Sequence, residues 1–135
     1  MTFRFSRFLL LAAVAASAAL LAAIPALASS ASTKTTAITA TVTKANEFKF
    51  NLSKSTVPAG AVTIKFVNQG SLGHNFTLCS SNKGGTGNSC KGKSTPTITS
   101  GTATLKVTLT AGKYEYMCSV PGHAAGGMKG ILTVK

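Results

Sequence analysis

From residue 36 onward the chain alternates between apolar and polar positions, and glycine, proline and asparagine break the pattern at intervals. Residues 37–43 place Ile38 and Val42 on one face, and residues 47–52 do the same for Phe48, Phe50 and Leu52. Residues 57–60 read as a turn. Residues 62–67 point Val62, Ile64 and Phe66 inward, and Asn68-Gln69-Gly70 breaks that run. A further strand starts at His74 and runs to Leu78. Alternation resumes over 97–99 and 102–109, turns at Ala111-Gly112, and returns over 113–118 and 129–135. A period of two predicts strands with one face buried. No segment of this part shows a helical period. Short strands separated by turn signals predict an all-β sandwich or barrel. Phe48, Phe50, Ile64, Phe66, Phe76, Leu105, Val107, Tyr114 and Ile131 are expected to supply much of the core.

The start of the chain follows another rule. Arg4 and Arg7 precede an uncharged Leu/Ala run from Leu9 to Ile24, and Ala26-Leu27-Ala28 is a small-x-small cleavage signal. This pattern predicts a secretory leader over residues 1–28, cut after Ala28. The competing reading is a retained membrane anchor, but the apolar run falls short of the roughly 20 residues a span needs. Residues 29–35 are small and polar and read as a flexible lead-in. Residues 36–135 then form one domain, expected to be an exported, periplasmic or extracellular monomer.

Removing the leader leaves twelve lysines against two acids, Glu47 and Glu115. Such a field favours acidic redox proteins or an anionic membrane surface as partners, and makes association salt-sensitive. The lysines are scattered and the mature part has no arginine, which argues against nucleic acid.

The candidate chemistry is concentrated near the C-terminus. Cys118, His123 and Met128 are spaced as C-x4-H-x4-M on a glycine-rich loop, and His74, the only other histidine, lies upstream. Two imidazoles and a thiolate with a weak thioether form the ligand set of a blue-copper site. His74, Cys118 and His123 are assigned to the metal plane and Met128 to the axial position. Pro121 is expected to stiffen the loop, while Gly122, Gly126 and Gly127 permit its tight path. Asn75 is placed to tie the His74 segment to the Cys118 loop, and the Gly73 carbonyl to approach the metal opposite Met128. Met117 should point away from Cys118 into the core.

Once Cys118 is a metal-binding thiolate, Cys79 and Cys90 are left to pair across a Gly/Ser/Asn-rich loop. Closing such a loop contributes on the order of 2–3 kcal/mol. A bridge from Cys118 to either partner is the competing arrangement and would abolish the site.

The loop, the upstream His74-Asn75 pair, Glu47-Phe-Lys-Phe50, Val57-Pro-Ala-Gly60 and the run from Val62 to Asn68 together resemble the cupredoxins, the type 1 blue-copper proteins. The resemblance covers about residues 36–135. The Cys-to-His spacing is most similar to that of auracyanin, rusticyanin and sulfocyanin. The resemblance implies a Greek-key sandwich of about eight strands, a single Cu(I)/Cu(II) centre and one-electron shuttling between redox partners. It further implies that the edge of His123 is the electron port, with Leu72, Pro121, Ala124 and Ala125 as an apolar docking patch. The Cys79–Cys90 insertion lies outside that pattern.

Other readings are weaker. Zinc accepts Cys and His, but a lone thiolate with a thioether suits copper better. Cys/His nucleophilic catalysis needs an orienting acid, and the candidates beyond the leader are only Glu47 and Glu115, the latter alternating with Tyr114 near the site without an evident role. Multicopper chemistry needs further histidines. The chain is therefore not expected to be an enzyme. The alternative function is metal handling, as a copper chaperone or store, although Met- or His-rich tracts are missing. Asn51 and Asn75 also head glycosylation sequons.

Overall fold

The computed structural model describes residues 34–135. The leader and most of the lead-in lie outside the described residues. Nine strands follow one another: β1 (Thr36–Thr43), β2 (Asn46–Leu52), β3 (Thr56–Val57), β4 (Gly60–Gln69), β5 (Thr77–Cys79), β6 (Gly92–Ser94), β7 (Gly101–Leu109), β8 (Gly112–Met117) and β9 (Lys129–Val134). They form two sheets, ordered β2-β1-β4-β7 and β3-β9-β8-β5-β6. The β1–β4 and β3–β9 pairs are parallel and the rest antiparallel. The chain crosses repeatedly between the sheets, as a Greek-key sandwich requires. The described residues contain no helix.

The inward positions of both sheets fill the space between them. Ile38, Ala40 and Val42 from β1 and Val62, Ile64 and Phe66 from β4 face Leu78, Tyr114, Leu132 and Val134. Phe50 sits at the centre. Its ring meets Phe76 edge-on at 5.1 Å and Phe66 and Tyr116 at 5.9 Å, while Phe76 and Tyr116 stack at 5.3 Å. Each such fully buried side chain contributes about 1.5–3 kcal/mol through removal from water.

Phe48 departs from the expected core. It shares the face of Phe50 but remains 44% exposed, because β2 runs past the end of the core there and Phe48 lies over the 121–127 turn instead. Val107 is half-buried because it lies on the inward face of the edge strand β7, whereas Ile131 is half-buried because it alternates with the inward Leu132 and falls on the outer face of β9. The break expected at Asn68 is absent; β4 continues to Gln69 because Asn68 points inward and hydrogen-bonds there. The strand expected from His74 starts only at Thr77, since His74 makes an isolated bridge with Ile98. β3 and β6 are additional short edge strands.

Candidate metal centre

β8 and β9 pair until Met117 opposes Lys129, so Cys118 and Met128 emerge side by side at one end of the sandwich. The Cys118 N–H donates to the Met128 carbonyl at 3.0 Å. Between them, residues 121–127 wind into a continuous turn. His123 N–H donates to Val120 O, Gly126 N–H to Gly122 O, and Met128 N–H to His123 O, at 2.9–3.1 Å. This path needs positive φ at Gly122 (83°) and Gly127 (106°), a region that side chains resist. Gly126 has ordinary φ and matters for space: a Cβ there would press on Phe48 at 3.4 Å.

The turn carries His123 toward His74, which arrives on its bridge from the opposite side. His74 Nδ1 and His123 Nδ1 are 3.0 Å apart, and Cys118 Sγ lies 3.9 Å from the first and 3.5 Å from the second. A point equidistant from these three atoms is about 2.0 Å from each, the length of a metal–imidazole bond. His74 Nε2 points at a carboxylate and carries the ring proton, so its Nδ1 presents a lone pair inward. A second imidazole nitrogen and a sulfur then face that lone pair. Such a donor set calls for a soft cation, and copper meets that requirement. Met128 is fully buried in the same core cluster.

The carboxylate is Glu47. Its Oε2 accepts from His74 Nε2 at 2.9 Å, and its Oε1 accepts from the Ser71 N–H. The hydrogen bond from His74, then that from Ser71, hold the Glu47 carboxyl below its usual range. Gly70 permits the approach, for a Cβ at that position would overlap the carboxylate. His123 is also shifted down, first by burial and then by its proximity to His74.

Two asparagines fasten the remaining segments. Asn75 Nδ2 donates to Ser119 Oγ at 2.8 Å and to Thr97 Oγ1 at 3.2 Å, and its Oδ1 accepts from Ser119 N–H at 2.8 Å. This joins the residue after His74 to the residue after Cys118. Asn75 is buried by these bonds and unsuited to carry a glycan. Asn68 Nδ2 donates to the carbonyls of Leu72 and Ile98, and its Oδ1 accepts from Gly70 N–H. It shapes the 68–72 turn that delivers His74.

Glu47 and Asn68 were not foreseen as part of the site. Asn68 left a trace in the sequence, since it is a polar residue at an inward position of a strand. Glu47 left only its rarity, as one of two acids. The carboxylate orients the His74 ring. Ala124, expected on the surface patch, is buried against Cys79 and Met117, because the turn rotates it inward while its neighbours Pro121 and Ala125 stay exposed. Leu72 is 43% exposed. Gly73 lies beside Thr97 and Thr99. Cys79 and Cys90 form a disulfide and Cys118 is free.

Among solved structures the chain is similar to reduced rusticyanin, at 30% identity over 77% of this chain and 81% of that one, with a TM-score of 0.61. Rusticyanin from Thiobacillus ferrooxidans gives 28% identity over 77% and 79%, with a TM-score of 0.62. Auracyanin A, a "blue" copper protein from Chloroflexus aurantiacus, gives 27% identity over 76% of this chain and 100% of that chain, with a TM-score of 0.58. No curated protein sequence matches significantly. The family model "Copper binding proteins, plastocyanin/azurin family" matches residues 37–135. With that match, the sandwich and the converging His74, Cys118 and His123, the chain belongs to the plastocyanin/azurin family of copper-binding proteins.

Proposed function

We propose that the protein is an exported electron carrier, in which His74, Cys118, His123 and Met128 would hold one copper ion and His123 would be the electron port. Bound copper supplies a one-electron Cu(II)/Cu(I) couple. The residues supply a holder that does not rearrange. Glu47 keeps the His74 ring turned toward the site, and Asn75 locks the two ligand segments together. The tight turn limits how far His123 can move.

The observation that carries this reading is an asymmetry of exposure. His74, Cys118 and Met128 are each 0% exposed, while His123 is partly exposed. One imidazole therefore connects a sealed site to the surface. Phe48 lies against its ring and is exposed, as are Pro121 and Ala125 on the same turn and Leu72 two residues before His74; together they would form an apolar rim on which a partner docks without displacing charge. The burial of Cys118 leaves no room for a substrate at its sulfur, which speaks against nucleophilic catalysis. The same sealing speaks against metal handling, where ligands must be exchangeable.

The surface charge supports an acidic redox partner. Beyond the leader-like start, twelve lysines face only two acids, Glu47 and Glu115, so the net charge of this part is strongly positive. Attraction to an acidic partner should speed association and weaken with salt. Export is supported by the leader-like start and by a disulfide, which persists in oxidising compartments.

The test is the visible spectrum of the protein with Cu(II). An intense thiolate-to-copper band that bleaches with ascorbate and is lost in Cys118→Ser is expected. Pale absorption alone would remove Cys118 from the site and favour metal handling.

A further inference from the structure

The segment between Cys79 and Cys90 reaches the ligand loop at three places, each one residue from a proposed ligand. Met117, next to Cys118, is fully buried in a small cluster with Cys79, Cys90 and Ala124 on the outer side of β8, opposite the main core. Ala124, next to His123, packs into the same cluster. Lys129, next to Met128, is gripped by the segment itself. Its ammonium donates to Thr86 O and Asn88 Oδ1 at 2.7 Å and to Gly87 O at 3.3 Å. These three acceptors match its three protons.

The segment is anchored elsewhere on β8. Gly84 N–H donates to Lys113 O at 2.6 Å, and Lys113 N–H to Asn82 O at 2.7 Å. Gly85 lies directly against the Glu115 carboxylate, where a Cβ would come within 2.7 Å of Oε2. The disulfide closes the base, with Cys79 at the end of β5 and Cys90 just before β6. The segment thus covers the outer face of β8 and touches both ends of the 118–128 loop as well as its middle.

We propose that the Cys79–Cys90 segment is a positioning element for the copper loop, which holds Cys118, His123 and Met128 in place by gripping Met117, Ala124 and Lys129. This rests on the copper assignment above. The physical basis is that a glycine-rich turn has little stiffness of its own, while packing and hydrogen bonds to a covalently closed loop restrict it. Without the bridge, the outer cluster loses its covalent link between Cys79 and Cys90 and the segment is free to lift from Lys129.

The experiment compares the copper-loaded protein with the Cys79→Ala/Cys90→Ala variant. The readouts are the visible and electron paramagnetic resonance spectra and the rate of copper release to a chelator under native conditions. Val134→Ala serves as a control, since it weakens the core at the far end of β9. The expected result is a shifted or broadened thiolate band and copper release at least tenfold faster in the cysteine variant, with neither change in the control. A cysteine variant with wild-type spectra and release would overturn the proposal. If that variant does not fold, Asn88→Ala/Lys129→Leu decides by the same readouts, and unchanged values there overturn it equally. Failure of the copper assignment would be seen separately, as a wild-type protein without the intense band.

Discussion

Glu47 Oε2 lies 2.9 Å from Nε2 of His74, so a carboxylate holds the buried imidazole on the side away from the metal donors. A partner in this position fixes the tautomer and raises the basicity of the ring, and its loss typically lowers metal affinity about 10–100-fold. Glu47→Gln should therefore weaken Cu(II) binding within that range and raise the reduction potential, because the positive Cu(II) state gains most from the nearby charge. Competition titration and voltammetry check both. Gly70→Ala should act the same way by pushing the carboxylate aside.

Acid should weaken the apoprotein in two steps of the same sign. His123 is held below its ordinary value of 6.5 by burial and by His74. Below 6.5 the unfolded chain therefore binds protons that the folded chain refuses. Stability from this source is complete above 6.5 and is lost as pH falls through the lowered value. Glu47 is held below its ordinary 4.5 by its bonds to His74 and Ser71, so its contribution is complete above 4.5 and is lost as pH falls through its own lowered value. Urea unfolding of the apoprotein from pH 7 downward should show both steps, and Glu47→Gln should remove the lower one. A rise of stability on acidification would contradict the assignment.

Asn75→Ala removes the tie between the His74 and Cys118 segments. The lost hydrogen bonds should cost about 1–3 kcal/mol. The effect on the site should exceed the effect on the fold, with a changed thiolate band in a protein that still unfolds cooperatively. Chemical denaturation and visible spectroscopy on the same sample separate the two.

Phe48 and Phe50 stand two residues apart on one face, yet their truncations should differ. Phe50→Ala opens the centre of the core and should cost about 3–5 kcal/mol. Phe48 is exposed and meets the His123 ring edge-on at 5.1 Å. Phe48→Ala should leave stability nearly unchanged and alter the rate of electron exchange with small redox reagents. Equal destabilisation by the two would show that Phe48 belongs to the core after all.

The all-β fold and the candidate donors were legible in the sequence because both are local signals. Alternation along residues 37–43, 62–67 and 102–109 follows from the pleat of a strand, and the spacing of Cys118, His123 and Met128 follows from the reach of one turn. Phe48 was misjudged because alternation reports a face and says nothing about where the opposing layer ends. Ala124 was misjudged because inside a turn the direction of a side chain depends on the backbone path, which neighbouring polarity does not reveal.

By itself the sequence determined the strand periodicity, the chemistry of the donor set and the count of two histidines that restricts the site. Tertiary structure alone decided which distant groups meet: Glu47 with His74, Asn75 with Ser119, and Lys129 with the carbonyls of Thr86 and Gly87. These contacts join residues 27, 44 and 42–43 positions apart. No local period encodes such separations. They arise because two sheets pack face to face and bring loops from one end of the sandwich within hydrogen-bonding distance.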